Sequence, residues 1–158
     1  MTLDETDRRI LALLQENAAL SVAEVADSLR MTPPPCWRRI KRLKDGGVLE
    51  KQVWLVDPKA VGLTVTIYAA VKLTTHDSKA TAAFRNRIQA LPEVLECYIL
   101  LGSPDALLKI IVSDMEHYEE LFNARLSQIP GVREVTSSVV MTEVKKTTRA
   151  PLLTRHEC

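Results

Sequence analysis

Apolar residues in the first part of the chain recur at helical spacing. Leu3, Ile10, Leu13 and Leu14 predict a helix from about Glu5 to Asn17. Val22, Val25, Ala26 and Leu29 share one face of a second helix, opened by Ser21 with Glu24 three residues on, the pattern of a capping box. A third helix lies within Thr32 to Asp45 and is ended by Gly46-Gly47, where glycine takes a left-handed conformation without steric cost. Thr32 can cap it and Pro33 suits a first turn, while Pro34 and Pro35 allow the start to slip to Pro35. Val48 to Val56 then reads as a short strand or hairpin arm, and Asp57-Pro58 begins a linker.

Near residue 60 the apolar period changes from helical to alternating, which marks a boundary between two small domains. Val65, Ile67, Ala69, Val71 and Leu73 alternate as a half-buried strand. A helix from about Ser78 to Ala90 turns Ala80, Phe84, Ile88 and Leu91 inward, and Leu95, Cys97, Ile99 and Leu101 alternate again. The turn Gly102-Ser103-Pro104-Asp105 leads to a strand with Leu108, Ile110 and Val112 on one side. Ser113 with Glu116 is a capping box for a helix burying Met115, Tyr118, Phe122, Leu126 and Ile129, and a last strand runs from about Val132 to Val144. The corners Leu91-Pro92-Glu93-Val94 and Ile129-Pro130-Gly131-Val132 echo each other. Two βαβ-like halves make an α+β, ferredoxin-like βαββαβ sheet with both helices on one face. The boundaries that follow are 1–50 for the helical domain, 51–63 for the connecting strand and linker, and 64–158 for the sheet domain with its tail.

The face of that sheet away from the helices carries Tyr68, Ala70, Tyr98, Leu100, Leu107, Ile111 and Val140 among Thr64, Thr66, Lys72, Glu96, Lys109, Thr136, Ser138 and Thr142. An uncovered face with so much apolar area is rare on a monomer. Self-association by two-fold pairing is the expected way to cover it, scattered surface apolars being the plainer alternative.

Composition removes other classes. The chain of 158 residues is 46% hydrophobic and 26% charged, ordinary globular usage, and only 4% aromatic, so its cores are aliphatic. The longest uncharged run, Ala60 to Val71, is far shorter than a membrane-spanning helix requires, and Asp4, Glu5 and Asp7 stand where a signal segment would be basic and apolar. A cytoplasmic protein without a membrane partner is expected. Cys36, Cys97 and Cys158 form neither a disulfide framework nor a metal half-site, and read as two buried small hydrophobes and a tail thiol, with redox sensing as the alternative. His76, His117 and His156 lie in no metal-ligand spacing. With no phosphate-cradling loop and no nucleophile-and-base arrangement, neither a cofactor nor an enzyme is expected.

The net charge of +1 says little, but its distribution says more. Arg38, Arg39, Lys41, Arg42 and Lys44 lie together, and no acid stands between Asp27 and Asp45. With Cys36, Ile40 and Leu43 inward, a helical period turns Arg38 and Arg42 away from the core, with Arg39 and Lys41 flanking and Pro35 on the same outer stripe. Three short helices with one cationic face fit a helix-turn-helix, whose second helix enters the major groove of double-stranded DNA. Arg38 is then placed for guanine, and Arg42 and Lys44 for phosphates. The candidate DNA-facing set is Ser21, Thr32, Pro34, Pro35, Arg38, Arg39, Lys41, Arg42 and Lys44.

The runs Leu3-Asp4-x-x-Asp7-x-x-Ile10-Leu11-x-Leu13-Leu14-Gln15 and Thr32-Pro33-Pro34-Pro35-Cys36-Trp37-Arg38-Arg39-Ile40-Lys41-Arg42-Leu43-Lys44-Asp45-Gly46-Gly47-Val48-Leu49 resemble the feast/famine Lrp/AsnC family of prokaryotic transcription regulators. The likeness continues through Leu55-x-Asp57-Pro58-x-x-Val61-Gly62-Leu63, Gly102-x-x-Asp105-x-Leu107-Leu108, Leu126-x-x-Ile129-Pro130-Gly131-Val132 and Thr136-Ser137-Ser138-Val139-Val140-Met141. The resemblance implies an N-terminal winged helix-turn-helix, with residues 51–63 as wing strand and linker, and a C-terminal ferredoxin-like amino-acid-sensing domain of the ACT-like or RAM type. It also implies homodimers pairing through their sheets, often assembled into octamers, and an amino-acid effector near the Gly102 turn. The implied effector set is Leu101, Gly102, Ser103, Pro104 and Asp105 with Thr136 and Ser138, Asp105 assisting the ligand amine. Ser103, Pro104 and Ala106 stand where the family commonly has an acid and two aromatics, leaving a stiff hairpin turn as the plain reading. Cys36-Trp37-Arg38-Arg39 is similar to regulators answering cysteine, related sulfur amino acids or aromatic amino acids.

The functional expectation is therefore a sequence-specific, ligand-modulated regulator. The alternatives are a nucleoid-type protein that wraps DNA with little specificity, and a small-molecule-binding or enzymatic ferredoxin-like domain whose basic helix is incidental.

Overall fold

The computed structural model describes residues 2–74 and 78–152. His76, His156, Cys158 and the side chain of Ala80 lie outside the described residues. The chain forms two compact units: one comprises the residues up to Trp54 together with those from Lys145 onward, the other Leu55–Val144.

In the first unit, α1 (Glu5–Glu16) is opened by a capping box in which the Asp4 carboxylate accepts from the Asp7 N–H and the Asp7 carboxylate accepts from the Asp4 N–H. The Ser21 and Glu24 box opens α2 (Val22–Ser28) in the same way. The third helix, α3 (Pro33–Asp45), begins at the first of its three prolines and not at Pro35. Prolines in a first turn lose no intrahelical bond, because the first N–H groups of a helix have no partner there. The same prolines explain why Thr32 makes no side-chain cap: a cap accepts from the second or third helical N–H, and Pro34 and Pro35 have none. At the other end Gly47 takes the left-handed conformation (φ 70°) while Gly46 does not (φ −84°). Ile10, Leu11, Val25, Ala26, Cys36, Ile40 and Leu43 form the core of this unit.

Two expectations change here. Residues 48–56 form no strand: Val48 and Leu49 bend back to donate to the Leu43 carbonyl, the rest meet no partner strand, and Val53, Trp54, Leu55 and Val56 are exposed. The segment from Lys145, grouped with the sheet domain in the sequence, belongs to the helical unit. Gln15 accepts from the Ala150 N–H (2.6 Å) and donates to its carbonyl (3.2 Å), and Leu152 packs against the helical core.

The second unit is a four-stranded antiparallel sheet of β1 (Val65–Leu73), β2 (Val94–Ile99), β3 (Ala106–Val112) and β4 (Val132–Val139), ordered β2-β3-β1-β4. With α4 (Ser78–Gln89) after β1 and α5 (Met115–Leu121) after β3, this is the expected ferredoxin-like order. Ile67, Ala69, Val71, Leu108, Ile110 and Val112 pack with Phe84, Ile88, Tyr118, Leu121 and Leu126 as one core. The α5 helix continues into a π-helical turn, Phe122–Leu126.

Four local readings are corrected. Leu95, Cys97 and Ile99 are exposed on β2, an edge strand whose register shifts at Leu95, between Val94 and Glu96, and Leu101 is exposed in the turn beyond its end. Asp114, not Ser113, caps α5 by accepting from the His117 N–H, and Met115 beside it is exposed. The last strand ends at Val139, which pairs with Ile67, and one further bond follows, from the Val140 N–H to the Thr66 carbonyl. Of the two cysteines read as buried, Cys36 is and Cys97 is not. No helix among the described residues is long and apolar enough to cross a membrane.

Candidate functional site

The cationic residues of α3 divide into two sets. Arg39, half-buried, donates to Asp4 (2.6 Å) and Asp7 (2.8 Å), and Arg42 donates to the other oxygen of Asp7. Asp7 is fully buried, and Arg39 beside Asp4 holds that carboxyl below its usual range. Arg42, expected on the outer stripe for phosphates, is thus drawn toward the start of α1. Pro34, Arg38, Lys41 and Lys44 are exposed, and Pro35 is half-buried.

Sequence reasoning left out three participants, an acid pair and one aromatic ring. Asp4 and Asp7, three residues apart, match Arg39 and Arg42, also three apart, so equal helical spacing was the available signal. Trp37 was the third. It is 51% exposed on α3, and the Lys41 ammonium lies 5.4 Å from its ring centre. Ser21 accepts from Glu24 in the capping box, whereas the Thr32 hydroxyl makes no cap bond. Cys36 is buried in the helical core, and burial pushes its thiol upward, away from the reactive thiolate form.

The effector turn joins β2 to β3. Leu101 is fully exposed, Ser103 is exposed and Pro104 is half-buried. Gly102 has φ 126°, and a Cβ placed there would meet nothing within 4 Å, so the backbone angle and not crowding within this chain demands glycine. Asp105 is tied to β1 by its N–H to Val71 (2.9 Å) and by its carboxylate, which accepts from Leu73 N–H (2.7 Å). Its carbonyl accepts from Leu100 N–H at 2.8 Å. Thr136 and Ser138 are exposed on β4 opposite Ala70 and Tyr68, with β1 between them and the strand that carries the turn.

On the open face, Glu96 accepts from Lys109 (3.0 Å) and from the Tyr98 hydroxyl (2.8 Å), and these bonds hold its carboxyl below the ordinary glutamate range. Tyr68 and Tyr98 remain 40% and 53% exposed. Among the described residues no three histidine, cysteine or acidic side chains converge on a metal-sized site.

A helical trio with a cation-bearing third helix, carried in one chain with a ferredoxin-like unit, defines a DNA-binding regulator with a separate ligand-binding domain. The model of a winged helix-turn-helix DNA-binding family matches residues 3–50, and that of the Lrp/AsnC ligand binding domain matches residues 66–150. The chain belongs to the Lrp/AsnC family of transcriptional regulators, and it is not an enzyme.

Among its relatives is the DNA-binding transcriptional activator DecR of Escherichia coli, 38% identical over 150 residues that cover 95% of this chain and 99% of that one. A transcriptional regulator from Neisseria meningitidis, solved as its L-Met complex, is 35% identical with a TM-score of 0.91, covering 96% of this chain and 97% of the other. Escherichia coli AsnC, 22% identical, shares the fold with a TM-score of 0.88 over 96% of this chain and 100% of that one.

Proposed function

We propose that this chain binds double-stranded DNA sequence-specifically and that a free sulfur-containing amino acid, cysteine or methionine, sets its affinity. The observation that carries the effector is the L-Met complex of the Neisseria meningitidis regulator, whose fold and sequence this chain follows over nearly its whole length. The proposed site is the turn Leu101 to Pro104, whose main-chain groups receive the charged ends of the amino acid, with the Thr136 and Ser138 hydroxyls contributing from β4. A zwitterion leaving water needs such polar partners. Asp105, bonded to β1, holds the turn as well as offering negative charge to the ligand amine.

On the DNA side, Arg38 reads guanine, Ser21, Thr32, Pro34 and Pro35 line the approach, and Lys41 and Lys44 meet phosphates. Arg39 and Arg42 add positive charge from the flank held by Asp4 and Asp7. Homodimers form through the open sheet faces and assemble further into octamers. The amino acid acts by binding one arrangement of these assemblies better than another, because occupancy without differential affinity shifts nothing.

Two titrations test the reading. In a thermal-shift screen of free amino acids, cysteine or methionine should raise the melting temperature by mass action and change the affinity for a selected DNA site. If no amino acid does either, the effector reading fails. Equal affinity for selected and scrambled duplexes would instead favour non-specific DNA wrapping.

A further inference from the structure

The exposed surface of α3 is asymmetric in a way that its charge does not explain. On one flank Arg39 and Arg42 are drawn onto Asp4 and Asp7. On the other, the Trp37 indole stays half in water, although burying such a ring is among the largest apolar gains open to a side chain. Two shallow hollows meet at Trp37 and Arg38. Val22, Pro33 and Pro34 complete the first, which is apolar; Lys41, Arg42, Asp45 and Gly46 complete the second. Lys41 over the ring keeps indole and cation together.

An apolar seat bordered by Arg38 and Lys41 suits a partner that presents an apolar group within a strongly anionic frame. In the major groove of DNA, the group on a base edge that meets this description is the thymine C5-methyl. We infer that Trp37 is a specificity-determining residue: with Val22 and Pro34 it seats a thymine methyl beside the base that Arg38 contacts. Trp37 thus reads an A·T pair without a hydrogen bond, and Lys41 is held where it can reach the adjoining phosphate.

This inference rests on the reading of α3 as the DNA-facing helix, and the experiment separates the two. The full chain first selects sites from a randomised duplex pool, and each thymine of the selected site is then replaced by deoxyuridine, which removes only the methyl group. At one or two thymines the replacement should weaken the unaltered protein about fourfold, as the loss of one buried methyl gives. Trp37→Ala should bind the thymine and deoxyuridine duplexes equally at those positions while still preferring the selected site over scrambled DNA. If both proteins respond equally to deoxyuridine at every position, Trp37 does not read thymine, while α3 still binds DNA. If the pool yields no enriched sequence, the reading of α3 itself falls. A second measurement leaves Trp37 unchanged: Trp54→Phe makes it the sole tryptophan of the two in the chain. Its emission should shift when the selected duplex binds, and unchanged emission on bound DNA overturns the inference.

Discussion

Arg42 on α3 donates to the fully buried carboxylate of Asp7 on α1, whose other oxygen accepts from Arg39 at 2.8 Å. A carboxylate taken out of water needs such partners, and here they come from the helix that also carries the exposed cations Arg38, Lys41 and Lys44. The arginine side chains are themselves 30% and 48% exposed, so water can receive them if the aspartate is lost, whereas Asp7 has no such recourse.

The first prediction is therefore an order of effects. Replacing both Arg39 and Arg42 with alanine leaves a buried unpaired charge and should cost about 3–5 kcal/mol of stability. Asp7→Asn keeps the shape and leaves the cations to solvent, and should cost about 1–3 kcal/mol. Urea denaturation of the full chain checks this. If Asp7→Asn proves the more damaging, the pairing serves α3 orientation more than the burial of Asp7.

Arg38 and Lys44 should separate on DNA. Arg38→Ala is expected to lose about 1–3 kcal/mol on the selected site and to relax base preference there. Lys44→Ala should weaken all duplexes alike and reduce the slope of log affinity against log salt by about one. Titrations at two salt concentrations distinguish these outcomes, and identical behaviour of the two variants would make Arg38 a phosphate contact.

Self-association should depend on the open sheet face. Tyr68 and Tyr98 are already about half covered, so burying the rest is worth ~0.7 kcal/mol per ring; a two-fold dimer buries four such rings, and changing both residues to serine should weaken it by about a hundredfold in sedimentation equilibrium. A dimer of unchanged affinity would assign the contact to another surface.

The Glu96 network gives that face a pH dependence. Its carboxyl is held low in the folded chain by Lys109 and Tyr98, so its contribution is present above the ordinary glutamate range and is lost as pH falls through the lowered value. Wild type should exceed Glu96→Gln in thermal stability at neutral pH, and the difference should vanish in acid. A difference that grows on acidification has the wrong sign for this arrangement.

At the turn, Asp105→Ala strips the Leu73 N–H of its charged acceptor and should cost about 1.5–3 kcal/mol, while Asp105→Asn, which keeps an oxygen there, should cost less. A Cβ at Gly102 has room, but Gly102→Val must hold φ 126°, a penalty of about 1–3 kcal/mol. It should abolish the amino-acid response and leave ligand-free DNA binding nearly intact. An unchanged response to the same amino acid would locate the sensing site elsewhere.

Periodicity along the chain determined the helical trio, the ferredoxin-like order and the cationic third helix, because the repeats of helices and strands are local properties of neighbouring residues. Ser21 with Glu24 was legible for the same reason: both groups of a cap lie within one turn. The tertiary structure alone decided what each exposed side chain meets. Arg39 and Arg42 turn toward acids more than thirty residues earlier, Asp105 closes on Leu73, and Ala150 pairs with Gln15. Residues 48–56 have the composition of a strand but no strand beside them, and Leu95 interrupts an alternation that the sequence shows unbroken. A repeat tells which face a residue occupies. The group opposite it depends on how elements distant in the chain pack, and that packing selects which arginine is paired with an acid and leaves Trp37 exposed.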